Sequence, residues 1–213
     1  MDGHNLIYFA DPMCSWCWGF APVIDAVRDR YGEALPIRLV LGGLRPGTRE
    51  PMTRAARQEL KGHWRHVHEA SGQAFDMSGL DREGFIYDTD PASRAVVLAR
   101  REDPHMGLVY LRAAQEAFYA RNLDVTSPGV LADLAAELGM GMWAFLAGLE
   151  TDEVKQETWR DYAISQRAGV TGFPTLIVGH EDGAAYHVVT RGFQSEDAVM
   201  TGIDAWLAHE RAA

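Results

Sequence analysis

The sequence predicts an α/β fold in which a βαβ unit and a ββα unit flank a large all-helical insertion. Three observations carry this: short apolar, β-favouring runs near both ends of the chain, helical periodicity through its middle, and Cys14-Ser15-Trp16-Cys17 at the first strand-to-helix turn. A chain of 213 residues with 47% hydrophobic content can bury one sizeable core. Residues 1–45 and 170–213 are expected to form the mixed domain, and residues 46–169 the helical insertion.

Leu6-Ile7-Tyr8-Phe9-Ala10 is apolar and stopped by Asp11-Pro12, so it reads as a buried strand. Phe20, Ile24, Val27 and Tyr31 then recur at spacings of 4, 3 and 4, which places them on one face of a helix ending at Arg28, Arg30 and Gly32. Pro22 either kinks that helix or begins a second one. Residues 36–41, closed by Gly42-Gly43, read as a second strand, parallel to the first because a helix separates the two.

From residue 51 to 169 the pattern is helical. Leu108, Leu111, Ala114 and Phe118 form one stripe; Leu131, Leu134, Ala135 and Leu138 form another, with Ser127 as N-cap, Pro128 at the first helical position and Gly139 past the end. Trp143, Phe145 and Leu149 continue the apolar character, and a further helix is expected over residues 153–167. After Gly172-Phe173-Pro174, residues 175–178 and 185–190 read as a hairpin across a loop at 179–183. A closing helix follows Ser195, with Glu196 and Asp197 in its first turn and Val199, Ile203, Trp206 and Leu207 facing inward.

Lys plus Arg number 20 and Asp plus Glu 30, and the net charge of -10 repels nucleic acid and anionic membrane surfaces. The N-terminal residues lack the basic stretch and long apolar run of a secretory signal, and nothing approaches the length of a membrane span. The expected location is therefore the cytoplasm. There a lone cysteine pair is more often redox-active than structural.

Cys14 and Cys17 are the only cysteines. Two thiols at this spacing can close a small disulfide that opens and re-forms with little chain movement. A zinc site would need further ligands, but no second CxxC exists, and His63, His66 and His68 lie about 45 residues away at offsets unlike those of zinc fingers. No metal is expected, and the histidines are assigned a solvated helix without a role.

The order of elements, the CxxC at the first strand-helix turn, Pro22 eight residues past the first cysteine, and Phe173-Pro174 opening the third strand resemble the thioredoxin fold. The long helical insertion resembles the DsbA-like branch. Within it, Asp11-Pro12-Met13-Cys14-Ser15-Trp16-Cys17-Trp18 and Thr171-Gly172-Phe173-Pro174-Thr175 are similar to the FrnE-like oxidoreductases. The resemblance implies a thiol-disulfide oxidoreductase acting on protein or small-molecule disulfides or dithiols, with no dissociable cofactor, glutathione as a candidate partner and a homodimer as a candidate assembly. It also implies that Pro174 is cis against the thiols, where local sequence alone favours an ordinary trans proline.

At a helix start, unpaired backbone N–H groups favour a thiolate, so Cys14 is the expected nucleophile and Cys17, a turn deeper, the resolving thiol. Ser15-Trp16 supplies a hydroxyl but no cation or imidazole between them, which predicts an intermediate reduction potential. Met13, Trp16, Trp18 and Phe173 are expected to surround the thiols with apolar, substrate-binding surface. Related oxidoreductases carry a buried acid six residues before the first cysteine, where this chain has Tyr8; Asp11 is nearer but expected to be exposed, so Tyr8 and Asp11 share the proton-transfer assignment. Two other classes compete: a kappa-type glutathione transferase or isomerase, which shares the inserted fold, and a chaperone-like binding module using the apolar surface.

Overall fold

The computed structural model describes residues 3–180 and 185–212; residues 181–183 of the expected loop lie outside them. Among the described residues, four strands form one sheet: β1 (His4–Ala10), β2 (Ile37–Leu41), β3 (Thr175–His180) and β4 (Tyr186–Arg191). The sheet order is β2-β1-β3-β4. β1 and β2 are parallel, with Tyr8 opposite Leu39, while β3 is antiparallel to both β1 and β4. A parallel pair needs a crossover, and α1 (Ser15–Tyr31) provides it.

α1 runs unbroken through Pro22, so no second helix begins there. The insertion contributes α2 (Arg54–Ser71), α3 (Asp90–Glu102), α4 (Pro104–Tyr119), α5 (Pro128–Glu137), α6 (Met142–Gly148) and α7 (Asp152–Arg167). Pro128 stands at the start of α5 as expected, but the Ser127 side chain makes no capping hydrogen bond. Trp143 is a correction to the apolar reading of that region: it is 77% exposed, while Phe145 and Leu149 are buried. α8 (Glu196–Glu210) closes the chain, and its N-cap Ser195 accepts a hydrogen bond from the Ala198 N–H.

Side chains alternate across a strand, so the two sheet faces build different cores. Leu6, Tyr8 and Ala10 of β1, with Leu39, Leu41, Leu176 and Val178, pack under the helices in the larger one. Ile7, Phe9 and Val40 point the other way, against Ile164 and Val170.

The insertion is fastened to the sheet edge by a buried ion pair. Arg100 of α3 donates to Asp161 of α7 at 2.7 Å and to the Leu39 carbonyl at 2.9 Å, while the Asp161 carboxylate accepts the Leu41 N–H at 3.0 Å. An edge strand presents unpaired backbone groups, and here the insertion satisfies two of them. This sets the end of β2 and hence the Gly42–Leu44 turn that borders the thiols.

Candidate active site

β1 ends at Ala10, and the chain turns through Asp11–Met13 before α1 begins. Cys14 is the N-cap, in extended conformation, and its N–H donates to the Asp11 carbonyl at 3.1 Å. The four first-turn N–H groups of a helix lack intrahelical partners, so the Cys14 sulfur sits where negative charge is favoured. Cys14 is 7% exposed and Cys17 is fully buried, both as free thiols. Burial pushes the Cys17 thiol well up, and the adjacent Cys14 sulfur and the Asp11 carboxylate push it the same way. Cys17 is therefore held protonated at neutral pH.

The segment before β3 faces this corner. The Phe173–Pro174 peptide bond is cis, Pro174 is buried, and the Cys14 thiol lies 3.6 Å from the Phe173 carbonyl oxygen. Gly42 makes room for Phe173: a Cβ there would stand 2.1 Å from its ring. Gly43 is required in two ways, with φ of 70° and the Tyr162 ring 2.8 Å from where a Cβ would be.

Cys14 opens onto a cleft of about 380 Å³. Met13, Ser15, Trp16, Leu44, Arg45, Met52, Leu60, His63, Tyr87 and Phe173 contribute to its walls. Its volume is that of a small-molecule site. Of the four residues expected to form the apolar surface, Trp16 and Phe173 flank the cleft half-buried, while Met13 is fully buried and only backs it.

Trp18 is a correction. It is 3% exposed and points into the core, stacked on Tyr119 with the Arg112 guanidinium 4.4 Å from its ring centroid, and its indole N–H donates to the Ala74 carbonyl at 2.9 Å. One residue past Cys17 on a helix, it faces the insertion and not the cleft.

Asp11 is the second correction. It is completely buried, because the Gly42–Arg45 turn folds over it: the Leu44 N–H donates to one carboxylate oxygen at 2.8 Å and the Met13 N–H to the other at 2.9 Å. Burial outweighs these two bonds and raises its pKa to about 6. Tyr8 is equally buried, its hydroxyl beside the Cys17 thiol but without a hydrogen bond of normal geometry. Burial and the cysteine sulfurs push that phenol well up, so it stays neutral.

His63, His66 and His68 are exposed, as expected of a solvated helix, but two of them stand beside the site. His63 lines the cleft, and the rings of His63 and His66 meet Trp16 edge-on at 5.9 and 5.4 Å. Burial and the neighbouring His66 lower the pKa of His63, so it serves as a neutral ring. Sequence reasoning also missed Arg45 and Tyr87, whose hydroxyl donates to the Met13 carbonyl. Arg45 ends the turn after β2 and Tyr87 comes from the insertion, and no local motif marks either.

A βαβ-ββα sheet with a dithiol at its first strand-helix corner, faced by a cis proline, defines a protein of the thioredoxin fold. The family model of the DSBA-like thioredoxin domain matches residues 5–200, and the chain belongs to that family. A proposed protein disulfide isomerase from Nitrosomonas europaea is 36% identical and superposes with a TM-score of 0.90 over 98% of this chain and 99% of that one. The cytosolic disulfide reductase DsbM from Pseudomonas aeruginosa, also solved with GSH, is 25% identical, with a TM-score of 0.77 over 98% of this chain and 100% of that one. The ClpXP adapter protein SpxH from Bacillus subtilis is 23% identical over 182 residues, 84% of this chain and 60% of that protein. The chain spans 55% to 65% of the length of the curated relatives it matches. Fold, family and structural neighbours together support thiol-disulfide oxidoreductase chemistry in general, whereas the curated relatives are named as adapters.

Proposed function

We propose that the chain exchanges disulfides through Cys14 and Cys17, with Cys14 as nucleophile and Cys17 as resolving thiol. The observation that carries this is their unequal placement: Cys14 opens onto the cleft at a helix N-terminus, and Cys17 is sealed one turn behind it. Cys14 thiolate attacks a substrate disulfide, forming a mixed disulfide and releasing one substrate thiolate. Cys17, on losing its proton, attacks the Cys14 sulfur; the internal disulfide forms, the bond to substrate breaks, and the second substrate thiolate leaves. The dithiol has lost two electrons and the substrate has gained them. Run backwards, the same steps oxidise a substrate dithiol.

A small peptide disulfide such as glutathione disulfide suits the cleft, where Arg45 offers a cation for a carboxylate and Trp16 an apolar wall. The solved complex of DsbM with GSH supports that choice. The lone dithiol and the cytosolic DsbM support a cytoplasmic reading, and the FrnE-like placement rests on the motifs at residues 11–18 and 171–175. Among the described residues no helix is long and apolar enough to cross a membrane.

Turnover of glutathione disulfide or a glutathionylated peptide tests the reading. Cys14→Ser should lose at least about 100-fold in rate. Cys17→Ser should stop multiple turnover while Cys14 still forms one mixed disulfide. A kappa-type transferase would survive loss of Cys17, and an adapter would keep partner binding without either thiol; either result would displace the oxidoreductase reading.

A further inference from the structure

The resolving step needs a proton to leave Cys17, and the buried surroundings give it few exits. Asp11 is the nearest carboxylate, but both its oxygens already hold backbone N–H groups, and its charge opposes ionisation of Cys17. Tyr8 Oη, which also stands beside the thiol, is buried without a hydrogen-bond partner. Buried hydroxyls are normally paired, so an orphan beside a reactive thiol needs an explanation.

Behind Tyr8 lies a second, narrow cleft between α1 and α4, lined by Tyr8, Asp25, Arg112 and Gln115 together with Ala21, Ile24, Leu108 and Leu111. Its water-sized space is about 10 Å³, which is about one water molecule. Two more of its lining residues carry buried polar atoms without partners, Gln115 Nε2 and Arg112 Nη1. Asp25 and Arg112, 4.0 Å apart and about a third exposed, form its mouth. Three orphaned polar atoms around a space for one water meet the condition for an ordered internal water, which needs two to four polar partners.

We propose that this cleft holds a water completing a proton path from the Cys17 thiol through Tyr8 Oη to Asp25 and solvent, with Gln115 and Arg112 as positioning residues. The proposal rests on the dithiol-exchange reading above. Tyr8 never ionises in it: its oxygen accepts the Cys17 proton as its own O–H proton passes to the water, and the water gives one up to the Asp25 carboxylate or to bulk. When the internal disulfide is reduced, the proton returns along the same route to the Cys17 thiolate. The insertion helix α4 thus supplies polar groups for a proton path at the position where this chain carries no acid on β1.

The groups facing Cys17 and Tyr8 are Cys14 and Asp25 from α1, Asp11 from the loop before it, and Arg112 and Gln115 from α4. Rapid-quench mixing of the reduced protein with glutathione disulfide, analysed by mass, separates mixed-disulfide formation at Cys14 from closure by Cys17. Tyr8→Phe removes only the hydroxyl and should slow closure near pH 7 by at least about tenfold, leaving the first step unchanged. The deficit should shrink as pH rises and Cys17 ionises directly. Gln115→Leu should act in the same direction, and Asp25→Asn should change the pH profile of closure alone. Unimpaired closure in both Tyr8→Phe and Gln115→Leu at every pH overturns the path, as does a loss confined to Asp11→Asn. Failure of the unmodified protein to form the mixed disulfide at all removes the oxidoreductase reading itself, a distinct result.

Discussion

Asp11 shows how one buried carboxylate couples the loop to the thiols. Its pKa is raised from 3.8 to about 6 by burial. A raised carboxylate pKa means the folded state binds the proton more tightly than the unfolded chain, so the stability Asp11 contributes is fully present below about pH 3.8 and lost as pH rises through 6. At about 1.4 kcal/mol per unit, the full span is on the order of 3 kcal/mol. Denaturant unfolding of wild type and Asp11→Asn across pH 4 to 7 should therefore show the wild type losing ground between about pH 4 and 6, with half of the difference gone by about pH 5; parallel curves would refute the assignment. Since the Asp11 charge also raises Cys17, Asp11→Asn should make Cys17 more acidic, which alkylation rates against pH in a Cys14→Ser background would reveal. The identity of the thiols was legible in the sequence because their chemistry depends on a local spacing. The burial of Asp11 was not, because Leu44, 33 residues on, supplies the covering turn.

At the scale of elements, the site depends on two contacts between segments far apart in the chain. Gly42→Ala would drive a methyl group into the Phe173 ring and displace the backbone whose carbonyl faces the Cys14 thiol. Exchange should slow by about 10- to 100-fold, with little change in helix content by circular dichroism; an unaffected rate would show that the Phe173 position does not matter. Arg100→Met leaves the buried Asp161 charge uncompensated and should cost about 3 to 5 kcal/mol in unfolding free energy. The strands and the ends of α1, α5, α7 and α8 were legible because apolar periodicity and caps are local signals. The place of α2 was hidden by its polarity: only Trp64 and Val67 of its 18 residues are buried, and nothing local says that two of its exposed histidines stand beside Trp16. Trp18 failed for a related reason. Its direction depends on which side of α1 the insertion covers, and no spacing within the motif states that.

For the whole molecule, the thioredoxin-like part holds the dithiol and the cis proline, while the insertion supplies part of the cleft wall, the clasp on β2 and the polar groups of α4 behind Tyr8. In a chain of net charge -10, the single cation near Cys14 on the cleft wall is Arg45 among the described residues. These features converge on reversible dithiol exchange, and equilibration of the protein against glutathione redox buffers tests that most directly. The account predicts one two-electron transition between dithiol and a Cys14–Cys17 disulfide, at a potential between about -270 and -120 mV, the range bounded by thioredoxin and DsbA. Cysteines that form only separate glutathione adducts, with no internal disulfide at any ratio, would contradict it.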